Sequence, residues 1–273
     1  MKSFLKYHLK DRALLARDQV HYRWSGHVPL LVFTMAKVGS LSVHLSVKRS
    51  TSIPSFHIHT LDNDEVQTKI KACFDRGVYP DSRSPVPFIL KEIIDKRKPY
   101  KVISLFRNPI ERNISAFFDA FEFNMGMPAE HFKGGLNELQ AAFFEHVNHR
   151  YVVSWFDDYF LPATGINVYD FGFDKELGYG KIEVENTSIL LMNTAIEDGT
   201  KQQLIADFLE VPNFELVNAN VTSQSKASGL YEAFKNHMSF DQAYINDLLG
   251  SRFFEHFFTP EEALRTREKW MRT

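Results

Sequence analysis

Leu30-Leu31-Val32-Phe33-Thr34-Met35-Ala36-Lys37-Val38-Gly39-Ser40-Leu41-Ser42 is the stretch on which the reading of this 273-residue chain turns. Its first half is a short, nearly continuous apolar run after Pro29, the pattern of a strand buried on both faces. Its second half holds a Lys, a Gly and two Ser. Leu41, Leu45 and Lys48 then recur at helical spacing, with Ser40 or Ser42 suited to begin a helix. The order is strand, tight loop, helix. Backbone N–H groups at such a junction, with the positive end of the helix behind them, form an anion cradle. Lys37 adds a full charge, Gly39 lets the backbone approach a phosphate closely, and Ser40 and Ser42 can donate from their hydroxyls. An ordinary capped helix with a surface lysine has the same composition, so the loop needs a partner to carry meaning.

Working outward, a second short strand is expected at Phe56–Leu61 and a helix near Pro87–Lys96. A third strand is expected at Tyr100–Phe106, and a helix opened by Pro109 should run through Phe121. Alternating strands and helices predict an α/β fold with a parallel central sheet flanked by helices, whose ligands bind at the carboxyl ends of the strands. The middle, Leu136–Phe160, reads as one long aromatic-rich helix. A hairpin over Ile166–Met192 should turn at Gly178 and Gly180, and a further helix should span Asp198–Leu209. Residues 1–24 read as a charged helical extension, with Leu5, Leu9, Leu14 and Leu15 among Lys, Arg and Asp. With no repeat, low-complexity tract or Pro/Gly-rich linker, and with 25 Phe spread throughout, the chain 1–273 reads as a single domain.

Composition narrows the function. Lys plus Arg number 32 and Asp plus Glu 34, a formal charge of −2, so no bulk basic excess marks a nucleic-acid or polyanion partner. Any bound anion must be held by local groups. The single Cys73 excludes an internal disulfide, a cysteine-rich zinc site and a redox pair. No stretch has the length of a membrane span, and the charged start lacks a signal peptide's apolar core. These features predict a cytoplasmic protein.

Two further groups carry chemistry. Arg107-Asn108-Pro109-Ile110-Glu111-Arg112-Asn113-Ile114-Ser115 puts a guanidinium at a strand end and a hydroxyl two turns into the next helix, a pair able to grip a phosphate. Phe56-His57-Ile58-His59-Thr60 puts two imidazoles on one face of a strand, and histidine suits a general base near neutral pH. A metal reading of His57, His59, Asp62 and Asp64 fails on spacing, because binuclear hydrolases need H-x-H-x-D-H and the run here is H-I-H-T-L-D-N-D. The first loop is not G-x-x-x-x-G-K-[ST] either: no glycine lies between residues 27 and 36, and Gly39 follows the lysine.

Taken together, these residues resemble the PAPS-dependent sulfotransferases, in which a P-K-S-G-T-like loop follows the first strand and the motif R-[DN]-P-x-x-R-x-x-S binds a 3′-phosphate. Residues 107–115 match the second motif in full, and FTMAKVGS looks most like the carbohydrate and capsular-polysaccharide branches. The specific resemblance covers roughly residues 28–120. It implies a P-loop-like sulfotransferase fold and PAPS (3′-phosphoadenosine 5′-phosphosulfate) as co-substrate, with no metal. Lys37 would contact the transferring sulfonate, while Val38, Gly39, Ser40, Leu41 and Ser42 form the loop around the 5′-phosphate. Arg107 and Ser115 would hold the 3′-phosphate, helped by helix N-terminal amides and by Lys226 in a late polar stretch with Ser223, Ser225 and Ser228. Val38 and Leu41 stand where Ser and Thr are usual. The H-x-H resembles that of uronyl 2-O-sulfotransferases, which implies His59 as base, with His57 in support or in its place. Ser40 or Ser42 is expected to hold Lys37 aside until the acceptor arrives.

The acceptor so implied is a hydroxyl, chiefly of a carbohydrate carrying little charge. A P-loop-like nucleotide kinase and an inactive glycan-binding protein on the same fold are the competing readings.

Overall fold

The computed structural model describes residues 2–77, 79–80, 83–217 and 228–271. Five strands, β1 (Leu30–Phe33), β2 (Ser55–Ile58), β3 (Tyr100–Phe106), β4 (Tyr179–Val184) and β5 (Thr187–Asn193), form one sheet in the order β2-β1-β3-β5-β4. β1 pairs in parallel with β2 and β3, β3 pairs in parallel with β5, and only β4 runs antiparallel, on the edge beside β5. The fold is a mixed α/β sheet, mostly parallel, with helices around it. All four residues of β1 are buried, as are Val102 through Phe106 of β3. Burial on both faces is why these strands read as unbroken apolar runs rather than alternating ones.

From β1 the chain crosses through the Ser40–Ser50 helix to β2 on one side, and later returns to β3 on the other. That reversal leaves a crevice at the carboxyl ends of β1 and β3, the place where open parallel sheets bind ligands. Aromatic rings pack beneath these strand ends. Phe33 stacks on Phe160 with centroids 5.3 Å apart and meets Trp155 edge-on at 5.1 Å. Phe106 packs against Phe253, Phe257 and Phe258.

Several expected elements are cut differently. β2 ends at Ile58, so His59 lies just past the strand instead of within it. The helix from Pro109 stops at Asp119, and a short second helix, Phe121–Met125, follows. The expected Pro87–Lys96 helix begins at Val86 and widens into a π-turn over Leu90–Ile94.

Leu136–Phe160 is not one helix. Leu136–His146 ends before Asn148, and Tyr151–Trp155 continues through a π-turn, Phe156–Phe160. Asn148 Oδ1 accepts from the Arg150 amide, and such local capping competes with helix continuation. The aromatic pattern runs through the break because both pieces pack on one core.

The hairpin turns at Glu185-Asn186, between the paired Val184 and Thr187. Gly178 precedes β4 and Gly180 lies inside it. Glu185 takes a φ of 50°, a left-handed conformation that two-residue hairpin loops require and that sequence assigns more readily to glycine. The N-terminal segment is helical over Lys2–Leu5, Lys6–Lys10 and Asp11–Ser25. It packs on the body through Tyr22, whose hydroxyl donates to the Glu92 carbonyl, and through an ion pair of Asp18 with Lys48.

Candidate functional site

Where β1 ends, buried Thr34 donates its hydroxyl to the Leu105 carbonyl at 2.7 Å and ties the two central strands together. The chain then turns sharply. Lys37 has a φ of 70° and Gly39 a φ of 72°. A lysine in the left-handed region is uncommon and marks a backbone held by its surroundings. Arg112 supplies part of that hold: its Nε donates to the Ala36 carbonyl at 3.0 Å, and its guanidinium lies over the Tyr151 ring. Burial pushes the Arg112 pKa down to about 10, which still leaves it charged.

Gly39 is the N-cap of the Ser40–Ser50 helix, and no side chain caps that end. The Ser42 amide donates to the Gly39 carbonyl at 3.1 Å, which leaves the Ser40 and Leu41 amides ahead of it as the donors that an anion can take. A methyl group on Gly39 would meet nothing within 4 Å. The glycine is needed for its backbone angle, and the space above it is open. By contrast, the Pro109–Asp119 helix is closed by Asn108, whose Oδ1 accepts from the Ile110 and Glu111 amides. Only one of the two expected sets of helix amides is therefore open to a ligand.

The carboxyl ends of β3 and β5 open into a cavity of about 630 Å³ that also touches Val38, Gly39 and Ser42. Arg107, Lys201, Arg265 and Lys269 line it, against Glu111, Asp198 and Glu262. Glu111 is shared between Arg107 at 3.2 Å and Lys269 at 2.6 Å. Burial pushes the Glu111 pKa up, but these two cations overcome it and hold the carboxyl below its ordinary value. Asn108 Nδ2 donates to Thr266 Oγ1 at 2.9 Å and ties the Pro260–Trp270 helix to this wall. Ser115 is half-buried on the same helix as Glu111 and does not line the cavity. Lys226, Ser223 and Ser225 lie outside the described residues, as does the side chain of Ser228.

Lys37 points the other way. Its Nζ meets Asp119 Oδ1 at 2.6 Å. Asp119, and not the expected serine, holds it. Ser40 instead shares a 2.8 Å hydrogen bond with His57 Nε2. The Asp119 side chain is 60% exposed, so the pair is worth at most about 1 kcal/mol and an incoming anion can displace it.

His57 and His59 do lie together, their rings edge to face with centroids 4.7 Å apart. His59 Nδ1 is 2.6 Å from the Thr34 carbonyl oxygen. A carbonyl only accepts, so Nδ1 carries a proton and Nε2 of the neutral ring is the free base. Burial lowers the His59 pKa from its ordinary value, opposed by the bond to Thr34. Burial also lowers His57 to about 3 and His44, which stacks on His57, to about 4. Asp62, one of the metal candidates, is spent capping the Asn63–Asp75 helix through the Asp64 and Glu65 amides. Among the described residues no group of three His, Cys, Asp or Glu is placed to hold a metal.

Buried neutral imidazoles have a thermodynamic consequence. Below pH 6.5 the unfolded chain protonates its histidines, while folded His57 and His44 stay neutral down to about 3 and about 4. The unfolded state then binds more protons, so stability is full above pH 6.5 and falls on acidification through this window. Melting temperatures measured from pH 7 to about pH 5 should fall. His57→Gln, which keeps a partner for Ser40, should flatten that slope; an unchanged slope would refute the assignment.

Several contributors carried no signal of their own in sequence. Arg112 stood inside the R-[DN]-P-x-x-R-x-x-S match without a role. Glu111 follows Arg107 at the i,i+4 spacing of a helical ion pair, which could have drawn attention to it. Asp119, Lys201, His44 and the pair Arg265 and Lys269 come from four different helices that only folding assembles. The Trp155 indole donates to the His59 carbonyl at 3.1 Å, and Glu65 Oε1 accepts from Tyr159 at 3.4 Å and pairs with Lys69 at 2.6 Å. Glu65 Oε2 is buried with no hydrogen-bond partner among the described residues. Trp155, Phe156 and Phe160 are core, whereas Tyr159 is only half-buried.

Residues 132–259 match a family model described as "Putative capsular polysaccharide synthesis protein". The match begins after both phosphate-type stretches and takes in β4, β5 and the helices on either side of them. No curated protein and no solved structure matches the chain.

Proposed function

We propose that this protein is a sulfotransferase that moves the sulfuryl group of PAPS to a hydroxyl of a carbohydrate, on a P-loop-like sulfotransferase fold. The observation that carries this reading is the meeting of three strand ends. The open helix terminus behind Gly39 follows β1, Arg107 follows β3, and a tautomer-fixed His59 follows β2. The first two share a cavity large enough for a nucleotide. The likeness of residues 132–259 to a capsular-polysaccharide family supports a sugar acceptor.

In the proposed reaction the acceptor hydroxyl attacks sulfur as its proton passes to His59 Nε2. The new O–S bond forms while the bond from sulfur to the phosphate oxygen breaks, and PAP leaves with that electron pair. Lys37, released from Asp119, neutralises charge on the leaving phosphate. Amides around Gly39 and Ser40 hold the 5′-phosphate, with Ser42 beside them. Arg107 takes the 3′-phosphate, and Lys269 and Arg265 on the cavity wall add to its field. Positioning and charge neutralisation supply most of the rate in such transfers.

Calorimetric titration with PAP tests the nucleotide half. The native protein should bind it, and Arg107→Ala should weaken binding roughly tenfold to a hundredfold, the loss of one charge-assisted contact. Absence of PAP binding by the native protein would sink the proposal. Strong Mg²⁺-dependent ATP hydrolysis would replace it with a nucleotide kinase, and PAP binding without sulfate transfer from labelled PAPS to any sugar would leave a glycan-binding protein.

A further inference from the structure

The N-terminal helix has two faces that differ in kind. Its inner face runs through Tyr7, Asp11, Leu15, Asp18 and Tyr22. Tyr7, Asp11 and Tyr22 are buried, and Asp18 bonds Lys48 at 2.6 Å. Its outer face runs through Leu5, Leu9, Ala13, Ala16, Val20 and Trp24, in steps of four and three residues, and all six are exposed. Trp24 is 84% exposed, Leu9 63% and Val20 53%. An indole left this open on a well-formed helix costs solvation that burial elsewhere would recover.

Charge singles out the occupant of this face. Lys6, Lys10, Arg12, Arg17 and Arg23 flank the stripe and are exposed. The helix's two acids both sit on the inner face, where Asp11 is buried and Asp18 is engaged by Lys48 and Arg17. The outer face is therefore an apolar stripe edged by cations and free of carboxylates, although the whole chain has a formal charge of −2. A second copy docking here would set cations against cations. An anionic lipid surface satisfies both features, taking the apolar stripe into its acyl boundary and the cations into its headgroups. Among the described residues no helix is long and apolar enough to cross a membrane, so such contact lies in the interface plane.

We propose that the outer face of the Asp11–Ser25 helix and the turns before it docks the protein on anionic lipid bilayers. Trp24, with Leu9 and Val20, enters the interface, and Lys6, Lys10 and Arg17 pair with the headgroups. The surface is separate from the strand-end site, and its success or failure is independent of the chemistry proposed there.

The other two tryptophans, Trp155 and Trp270, are buried at 0% and 1% exposure, so a vesicle-induced change in indole emission reports on Trp24. The full chain is titrated with mixed phosphatidylcholine–phosphatidylglycerol vesicles and with phosphatidylcholine vesicles alone. The expected result is co-sedimentation with the anionic vesicles only, with a blue shift of emission that Trp24→Phe removes. Lys6→Glu with Lys10→Glu should weaken binding by at least roughly twentyfold, about fivefold for each cation lost. Leu9→Ser with Trp24→Ser should abolish it. All four positions are exposed, so unchanged melting temperatures will establish that the variants are folded. Equal binding to neutral vesicles, no binding to either, or binding without a Trp24 shift would each overturn the proposal. So would a blue shift produced by raising protein concentration alone, which would make the face a contact between copies.

Discussion

His59→Ala is expected to lower sulfuryl transfer by roughly a hundredfold to ten-thousandfold, the range for a lost general base, while PAP binding by calorimetry stays near its native value. The split follows from geometry. His59 lies beyond the end of β2 and does not line the cavity that Arg107 shares with the Gly39 loop. Its Nδ1 proton is committed to the Thr34 carbonyl, so Nε2 is the atom left for the acceptor. Burial holds its pKa below the ordinary 6.5. The base is therefore already deprotonated at neutral pH, and the acid limb of kcat/KM should fall below pH 6.5, not at or above it. Lowering the pH through that limb protonates Nε2 and removes activity; raising it further should give a plateau. A native enzyme whose rate climbs through pH 7 to 8, or a His59→Ala protein with unreduced turnover, would remove this residue from the mechanism. Loss of turnover with His57→Gln alone would transfer the role to His57, although its bond to Ser40 leaves its Nε2 occupied.

Lys37→Ala should reduce turnover by roughly a hundredfold to a thousandfold, as removal of one preorganised charge-stabilising group does elsewhere. Its effect on PAP affinity should be much smaller than that of Arg107→Ala. Lys37 is bonded to Asp119 and does not line the cavity. Asp119→Asn makes the complementary test: it frees Lys37 without removing its charge, so transfer should be retained or raised. Transfer measured with labelled PAPS would decide. If Asp119→Asn were as inactive as Lys37→Ala, the carboxylate would be a participant in the chemistry and not a resting partner for the lysine.

What the sequence made legible were the elements whose pattern has one physical cause. β1 and β3 are buried on both faces, so their apolar runs had no competing reading as exposed strands. The Asp198–Leu209 helix came out with both ends as expected. The Tyr151–Thr164 region was opaque for the opposite reason: a π-turn and a capped break leave hydrophobic content unchanged while altering the path. The Glu185-Asn186 turn was hidden because its left-handed residue is not glycine. In the candidate site, residues adjacent in sequence were found together: Arg107 with Asn108 on the cavity wall, and His57 with His59. Ser115 was assigned beside Arg107 by motif, and it is not among the residues that line the cavity. The counter-ions could not be read at all, since Asp119 lies 82 positions from Lys37 and Lys269 lies 158 from Glu111.

Those counter-ions lie on one helix. Glu111 and Asp119, at opposite ends of Pro109–Asp119, meet Arg107 and Lys37 respectively, roughly 12 Å apart at 1.5 Å per residue. One helix thus carries a carboxylate against Lys37 and another shared by Arg107 and Lys269, an internal imitation of a doubly anionic ligand. Simple anions meet a site that is already neutralised and gain little by displacing one carboxylate. A ligand bearing two phosphate groups on one frame displaces both, and ordering its frame once serves two contacts. On the proposed function, selectivity against inorganic phosphate and nucleoside monophosphates would arise from competition within the protein, with no need for a strongly basic surface.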